Sequence, residues 1–137
     1  MKDVNCYLVF DGNCGEAMEF YHKCFGGEIF KMKFADAPGG APKGAEDRLI
    51  HAAVRTGPVL LMASDTMPGM AFTQGNNFSV TIACENNEEV DKYCGLVSQG
   101  GKVSMPPQET FWAKRFAGCT DKFGINWMFN HEKPMQM

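Results

Sequence analysis

Apolar residues fall in two rhythms along this chain, and the rhythms change in the same order twice. Residues 5–10, NCYLVF, carry a short apolar run that reads as a strand. From there Cys14, Ala17, Met18, Tyr21, Cys24 and Phe25 recur three or four positions apart. That spacing predicts a helix with one buried stripe, begun by Asn13 as its cap. Gly26–Gly27 closes it, because glycine adopts the left-handed geometry of a helix end at little cost. Period two follows. EIFKMKF sets Phe30, Met32 and Phe34 against Lys31 and Lys33, and RLIHAAVR and PVLLMAS form two more strands around Thr56–Gly57. Between them DAPGGAPKGAED holds too much Pro and Gly for a regular element.

The plan restarts after a second loop, DTMPGMAFTQGNN. FSVTIAC reads as a strand and NNEEVDKYCGLVSQ as a helix, with Val90, Tyr93, Cys94 and Val97 on one side and Gly100–Gly101 at its end. Short strands are expected at about 102–105, 111–117 and 125–130, the last two joined by a turn at Thr120–Gly124. Both halves thus read strand, helix, Gly-Gly, strand, strand, strand. A single βαβββ unit of this size has little core of its own, so the two are expected to form one α+β domain over 1–137. Repeat one runs from about 4 to 65, the linker from about 66 to 76 and repeat two from about 77 to 131.

Composition narrows the function. A chain of 137 residues with 45% hydrophobic and 21% charged residues is ordinary for a globular domain and argues against disorder. Thirteen Lys+Arg against sixteen Asp+Glu leave a net charge of −3, and no basic run exceeds two residues. Neither nucleic acid nor an anionic membrane is therefore an expected partner. The apolar stretch Cys6–Phe10 is too short for a secretion signal or a membrane span, so a cytoplasmic location is expected. The six cysteines contain no CxxC pair and read as small buried hydrophobes.

The stretches YLVFDGN…EAMEFYHKCFGGE, HAAV…LLMASD and GGKVSMPPQETFWAKRFAGCTDKFGINWMFN appear in that order over most of residues 7–130. In these the chain resembles the vicinal oxygen chelate superfamily, the glyoxalase/bleomycin-resistance fold. Within it the resemblance is to the PhnB-like branch, often labelled as similar to 3-demethylubiquinone methyltransferase. The resemblance implies curled mixed sheets around a cup-shaped cavity, helices outside, a homodimer and a small organic ligand. No glycine-rich turn joins a strand to a helix as a nucleotide-like cofactor requires, so no cofactor is expected.

Metal-dependent relatives place His, Gln or Glu on the first and fourth strands of each half. Counting from Phe20–Tyr21 and from Gly124 puts those positions near Cys6, Leu61, Ser79 and Met128. Moving each by one gives residues such as Tyr7, Met62, Phe78 and Trp127, and moving Ser79 by two gives Thr81. One thiol among such neighbours does not hold zinc, nickel or iron, so a metal-free cup is expected.

Candidate ligand contacts remain. His51 is the one histidine inside an expected strand. Strand parity sets Leu49, His51, Ala53 and Arg55 toward the cup and Ile50, Ala52 and Val54 toward a helix. His51 could act as acid or base near neutral pH, or simply form part of the wall. In QETFWAKRF, Glu109 falls at the rim. Phe111 and Trp112 are expected on opposite faces of their strand, with Arg115 on the side of Phe111. Glu109 and Arg115 would orient a polar substrate over an aromatic wall, or form a rim salt bridge. Ser79 and Thr81 share a polar face of the second-half opening strand, without the setting of an activated nucleophile. Met62 and Met128, with Met32 and Met105, fall in strands and suit an adaptable apolar pocket or an ordinary core. The catalytic candidates are His51 and Glu109. The expected function is small-molecule binding, with or without a metal-independent activity. The alternatives are a metal-dependent lyase, isomerase or dioxygenase, and a resistance-type protein that sequesters its ligand.

Overall fold

The computed structural model describes residues 1–134. Its elements are β1 (Tyr7–Phe10), α1 (Cys14–Phe25), β2 (Glu28–Lys33), a 3-10 turn at Phe34–Asp36, β3 (Leu49–Thr56), β4 (Val59–Asp65), β5 (Val80–Ala83), α2 (Asn87–Val97), β6 (Lys102–Gln108), β7 (Ala113–Thr120) and β8 (Asn126–Glu132). They form two compact units, Met1–Thr73 and Gln74–Met137. The first holds a four-stranded sheet in the order β1-β4-β3-β2, the second a sheet in the order β5-β8-β7-β6. In both, the outer first strand runs parallel to the fourth and the other pairs are antiparallel. This is the duplicated α+β plan that the two rhythms predict. Among the described residues, no helix is long and apolar enough to cross a membrane.

In the first unit α1 covers one face of the sheet. Its stripe Cys14, Ala17, Met18, Tyr21, Cys24 and Phe25 is buried, and Leu8, Phe10, Ala52, Val54 and Leu61 meet it from the strands. Each large side chain so buried contributes about 1.5–3 kcal/mol. Strict alternation fails at one place in β3. Met32 pairs with His51 but Lys33 pairs with Leu49, so Ile50 is an extra residue opposite the β2 edge. The bulge turns Leu49, only 5% exposed, to the helix face, where its Cδ1 lies 3.6 Å from the Cβ position of Gly15. Leu49 is thus a core residue, against the parity expectation, and the register resumes at His51.

The helix start also departs from expectation. Asn13 makes no side-chain capping bond. The buried carboxylate of Asp65, at the end of β4, takes that part: Oδ1 accepts from Gly12 N and Cys14 N, and Oδ2 from Leu49 N, each at 2.9 Å. In the second unit Asn86 does cap α2, accepting from Glu89 N at 2.8 Å. There Val90, Cys94 and Val97 pack over Val80, Ile82, Cys119, Trp127 and Phe129.

Gly26 caps the end of α1, whereas α2 already ends at Val97 with Ser98 as its cap, ahead of Gly100–Gly101. A Cβ on Gly27 would stand 2.1 Å from Arg55 O, and one on Gly101 would stand 2.2 Å from Thr120 O. The second glycine of each pair lets the strand after the helix lie against the end of its neighbour, where Glu28 faces Arg55 and Lys102 faces Thr120.

Candidate functional site

The face of the second sheet away from α2 carries one register row, Thr81, Met128, Gly118 and Met105, each from a different strand. Gly118 at its centre has no side chain, and a Cβ there would meet Ser104 Oγ at 3.0 Å. The low centre leaves a concavity of about 520 Å³, lined by Ser79, Ser104, Met105, Trp112, Phe116, Thr120, Asn126 and Met128 around Gly118, with the strand positions Cys119 and Trp127 between them. Trp112 meets Phe116 edge-on at 5.4 Å and forms an aromatic wall. Thr120 Oγ1 donates to Asn126 Oδ1 at 2.7 Å, which sets the amide. The side chains of Ser79 and Ser104 make no hydrogen bond to the described residues, so two hydroxyls stand free in a mostly apolar cup. Among the described residues, no carboxylate, imidazole, amine or guanidinium lines it.

QETFWAKRF is arranged differently from the sequence expectation. β7 begins at Ala113, because Thr110 and Ala113 close a tight turn: Thr110 N donates to Ala113 O and Ala113 N to Thr110 Oγ1, each at 3.0 Å. Phe111 and Trp112 therefore lie in the turn and not on opposite faces of a strand. Their rings touch edge-on at 4.9 Å, with Phe111 83% exposed and Trp112 in the cup. A register shift between Ala113 and Arg115 then turns Arg115 toward the helix side, where Nε donates to Asp91 of α2 at 2.6 Å. Phe116, not Arg115, reaches the cup. Glu109 pairs with Lys133 at 2.9 Å, and that ammonium holds its carboxyl below the usual range. Glu109 and Arg115 do not meet, so neither form of the expected Glu–Arg pairing is present. Lys133 also donates to Thr110 O at 2.8 Å and, through its backbone, to Trp112 O at 3.1 Å, tying the aromatic turn to the end of β8.

The other candidates fall on both sheets. Ser79 and Met128 line the cup, and Thr81 lies exposed beside Met128 in the central row. His51 and Met62 belong to the first unit, on the face away from α1. There Tyr7 Oη lies 3.0 Å from His51 Nδ1 and donates to Ala63 O at 3.2 Å. His51 is not alone among the histidines in lying on a strand: His131 lies in β8, its Nδ1 2.8 Å from Asn87 Oδ1. Sequence reasoning passed over Ser104, Phe116, Thr120 and Asn126. For the last three the signal was alternation along β7 and β8, readable only once β7 is known to start at Ala113; Ser104 lies at the register shift in β6 between Val103 and Met105.

The positions counted from the sequence as metal slots do not assemble a donor set. Cys6 is exposed ahead of β1, Leu61 is buried on the helix face, and Ser79 and Met128 supply a hydroxyl and a thioether. Among the described residues, no three His, Cys, Asp or Glu side chains converge. A divalent ion that needs several charged or imidazole donors does not fit these residues.

Residues 2–129 match the family described as 3-demethylubiquinone-9 3-methyltransferase. The chain belongs to that family. It is 36% identical to Protein YjdN of Escherichia coli K12 over 136 residues, 90% of this chain and 91% of that one. Protein PA1353 of Pseudomonas aeruginosa superposes with a TM-score of 0.84 at 35% identity, covering 96% and 100% of the two chains. A putative 3-demethylubiquinone-9 3-methyltransferase, PhnB protein, from Bacillus cereus gives 0.73 at 27% identity over 95% and 99%. A glyoxalase/bleomycin resistance protein/dioxygenase family enzyme from Burkholderia phytofirmans PsJN gives 0.59 at 19%, over 95% and 96%, a likeness of fold alone. The PhnB-like membership and the glyoxalase-like fold agree with what the quoted stretches imply.

Proposed function

We propose that this chain is a small-molecule-binding protein whose pocket is the concavity on the second sheet, and that it works without a metal. One observation supports this most: a cup of about 520 Å³ walled by Trp112, Phe116, Met105 and Met128, with two unbonded serine hydroxyls and no ionisable group apart from the Cys119 thiol. Such a lining suits a neutral, partly aromatic ligand. Its flat parts would lie on Trp112 and Phe116, and one or two polar atoms would reach Ser79 and Ser104. The same lining favours holding a ligand over transforming it. Cys119 is 1% exposed and belongs to the helix face, so the cup offers no accessible acid or base to move a proton. Sequestration is the reading within the superfamily that this favours, ahead of lyase, isomerase or dioxygenase chemistry. Pairing of two copies, in the cytoplasm, belongs to the same reading.

A neutral fluorescent amine, N-phenyl-1-naphthylamine, tests the pocket. It should bind with saturable fluorescence enhancement. Trp112→Ala should weaken it about tenfold, since one aromatic contact adds about 0.5–1.5 kcal/mol beyond the area it buries. Equal binding by wild type and Trp112→Ala would overturn the assignment. Elemental analysis after incubation with nickel, zinc, iron and manganese should find under about one-tenth metal per subunit. Light scattering should give twice the 15.1 kDa chain mass if two copies pair.

A further inference from the structure

The first unit holds a separate arrangement of chemistry-bearing side chains that the second-sheet cup does not use. Tyr7 Oη lies 3.0 Å from His51 Nδ1 and 3.2 Å from Ala63 O, and it carries one hydrogen. A backbone carbonyl only accepts, so the 3.2 Å contact is a bond when the tyrosine hydrogen points at Ala63. The phenol oxygen must then accept from the imidazole. The opposite arrangement, with Tyr7 donating to Nδ1, would leave two oxygens facing each other with no proton between them. We infer that Tyr7 holds neutral His51 as the Nδ1–H tautomer, so that Nε2 offers its lone pair to an aromatic ligand bearing a hydroxyl donor.

The surroundings fit that ligand. Nε2 has no hydrogen-bond partner among the described residues. The Tyr7 ring stacks on His51 at 5.8 Å and 24°, and the Phe30 ring lies at 6.2 Å. Tyr7 and Phe30 are 44% and 54% exposed. The register aligns Tyr7, Met62, Ala53 and Phe30 in one row across four strands. Ala53, the smallest of the four, leaves a dip between Met62 and Phe30, next to His51 along β3. An aromatic ring resting on this row would bring its hydroxyl to Nε2. Tyr7 is then a positioning residue: it sets the tautomer, as a second partner commonly orients a working histidine.

Nitrogen-15 spectra of the imidazoles, with the His51 signals assigned by His51→Gln, test both parts. The wild type above the histidine titration should show His51 protonated at Nδ1, and Tyr7→Phe should shift it toward Nε2–H. Titration with phenol should move the Nε2 signal, whereas anisole, the same ring without the donor, should leave it in place. Loss of the tautomer in Tyr7→Phe should weaken phenol about three- to tenfold, the worth of one hydrogen bond. Phe30→Ala should weaken phenol and keep the Nδ1–H tautomer. An Nε2–H tautomer in the wild type would overturn the inference. So would equal responses to phenol and anisole, or unchanged phenol affinity in Tyr7→Phe.

Discussion

Asp65 closes the strand LMASD and carries the sharpest stability prediction. Its carboxylate, 5% exposed, accepts three backbone hydrogen bonds at 2.9 Å, from Gly12, Cys14 and Leu49. It thereby joins the start of α1, the turn before it and the bulged end of β3. Asp65→Ala would leave three N–H groups without that acceptor. A hydrogen bond to a charged group is worth about 1.5–3 kcal/mol. Water can reach the Gly12 side, where the bond is only partly buried, so the expected loss is about 3–4 kcal/mol rather than the full sum. Out of a typical 5–15 kcal/mol, that leaves a marginal protein. Asp65→Asn keeps the shape and places an NH2 against at least one N–H, so it should lose about half as much. Urea unfolding followed by circular dichroism measures both, with unchanged slopes confirming that only stability moved. A loss below about 1 kcal/mol in Asp65→Ala, or none in Asp65→Asn, would refute the view that this carboxylate organises the helix start.

Three further outcomes follow from the packing. Gly27→Ala should cost well over 2 kcal/mol, since its Cβ would overlap Arg55 O, whereas Gly57→Ala, at φ 54° with open space around it, should cost about 1 kcal/mol by thermal unfolding. Among the six thiols Cys6 is exposed and the other five are buried, so a disulfide dye should react rapidly with one cysteine per native chain and with six in denaturant. Burial pushes the Cys14 thiol up to about 12 and the Cys84 thiol up to about 11, from an ordinary 9.0. Both folded values lie above the unfolded one, so these thiols leave stability unchanged below pH 9 and reduce it as pH rises from 9 toward 11–12. The slope reaches about 1.4 kcal/mol per pH unit per thiol, and Cys14→Ala should flatten it by one thiol's share in alkaline unfolding series.

Much of the fold was legible because its evidence is local. The stripe from Cys14 to Phe25, the alternation around Val80 and Ile82, and the glycine pairs place both helices and all eight strands to within a few residues. What failed was parity carried across an irregularity. Leu49 changed face at a bulge, Phe111 and Trp112 fell in a turn ahead of β7 instead of inside it, and the register shift after Ala113 put Arg115 on the helix side. A one-residue error in a period of two reverses every side chain beyond it.

Partner choice was out of reach for a different reason. Glu109 had Arg115 six residues away in sequence, yet the chain brings it Lys133 instead, and Arg115 finds Asp91 on a helix. The spacing of hydrophobic and polar residues by itself determined the duplicated plan, since burial of one face per element requires those periods whatever the contacts are. Only the tertiary structure decided which hydroxyls and rings share a cup, that Asp65 caps α1 in place of Asn13, and that Tyr7 meets His51 across 44 positions. Those outcomes depend on strand register and bulges, which bring distant residues within 3 Å and leave no periodic trace in the chain.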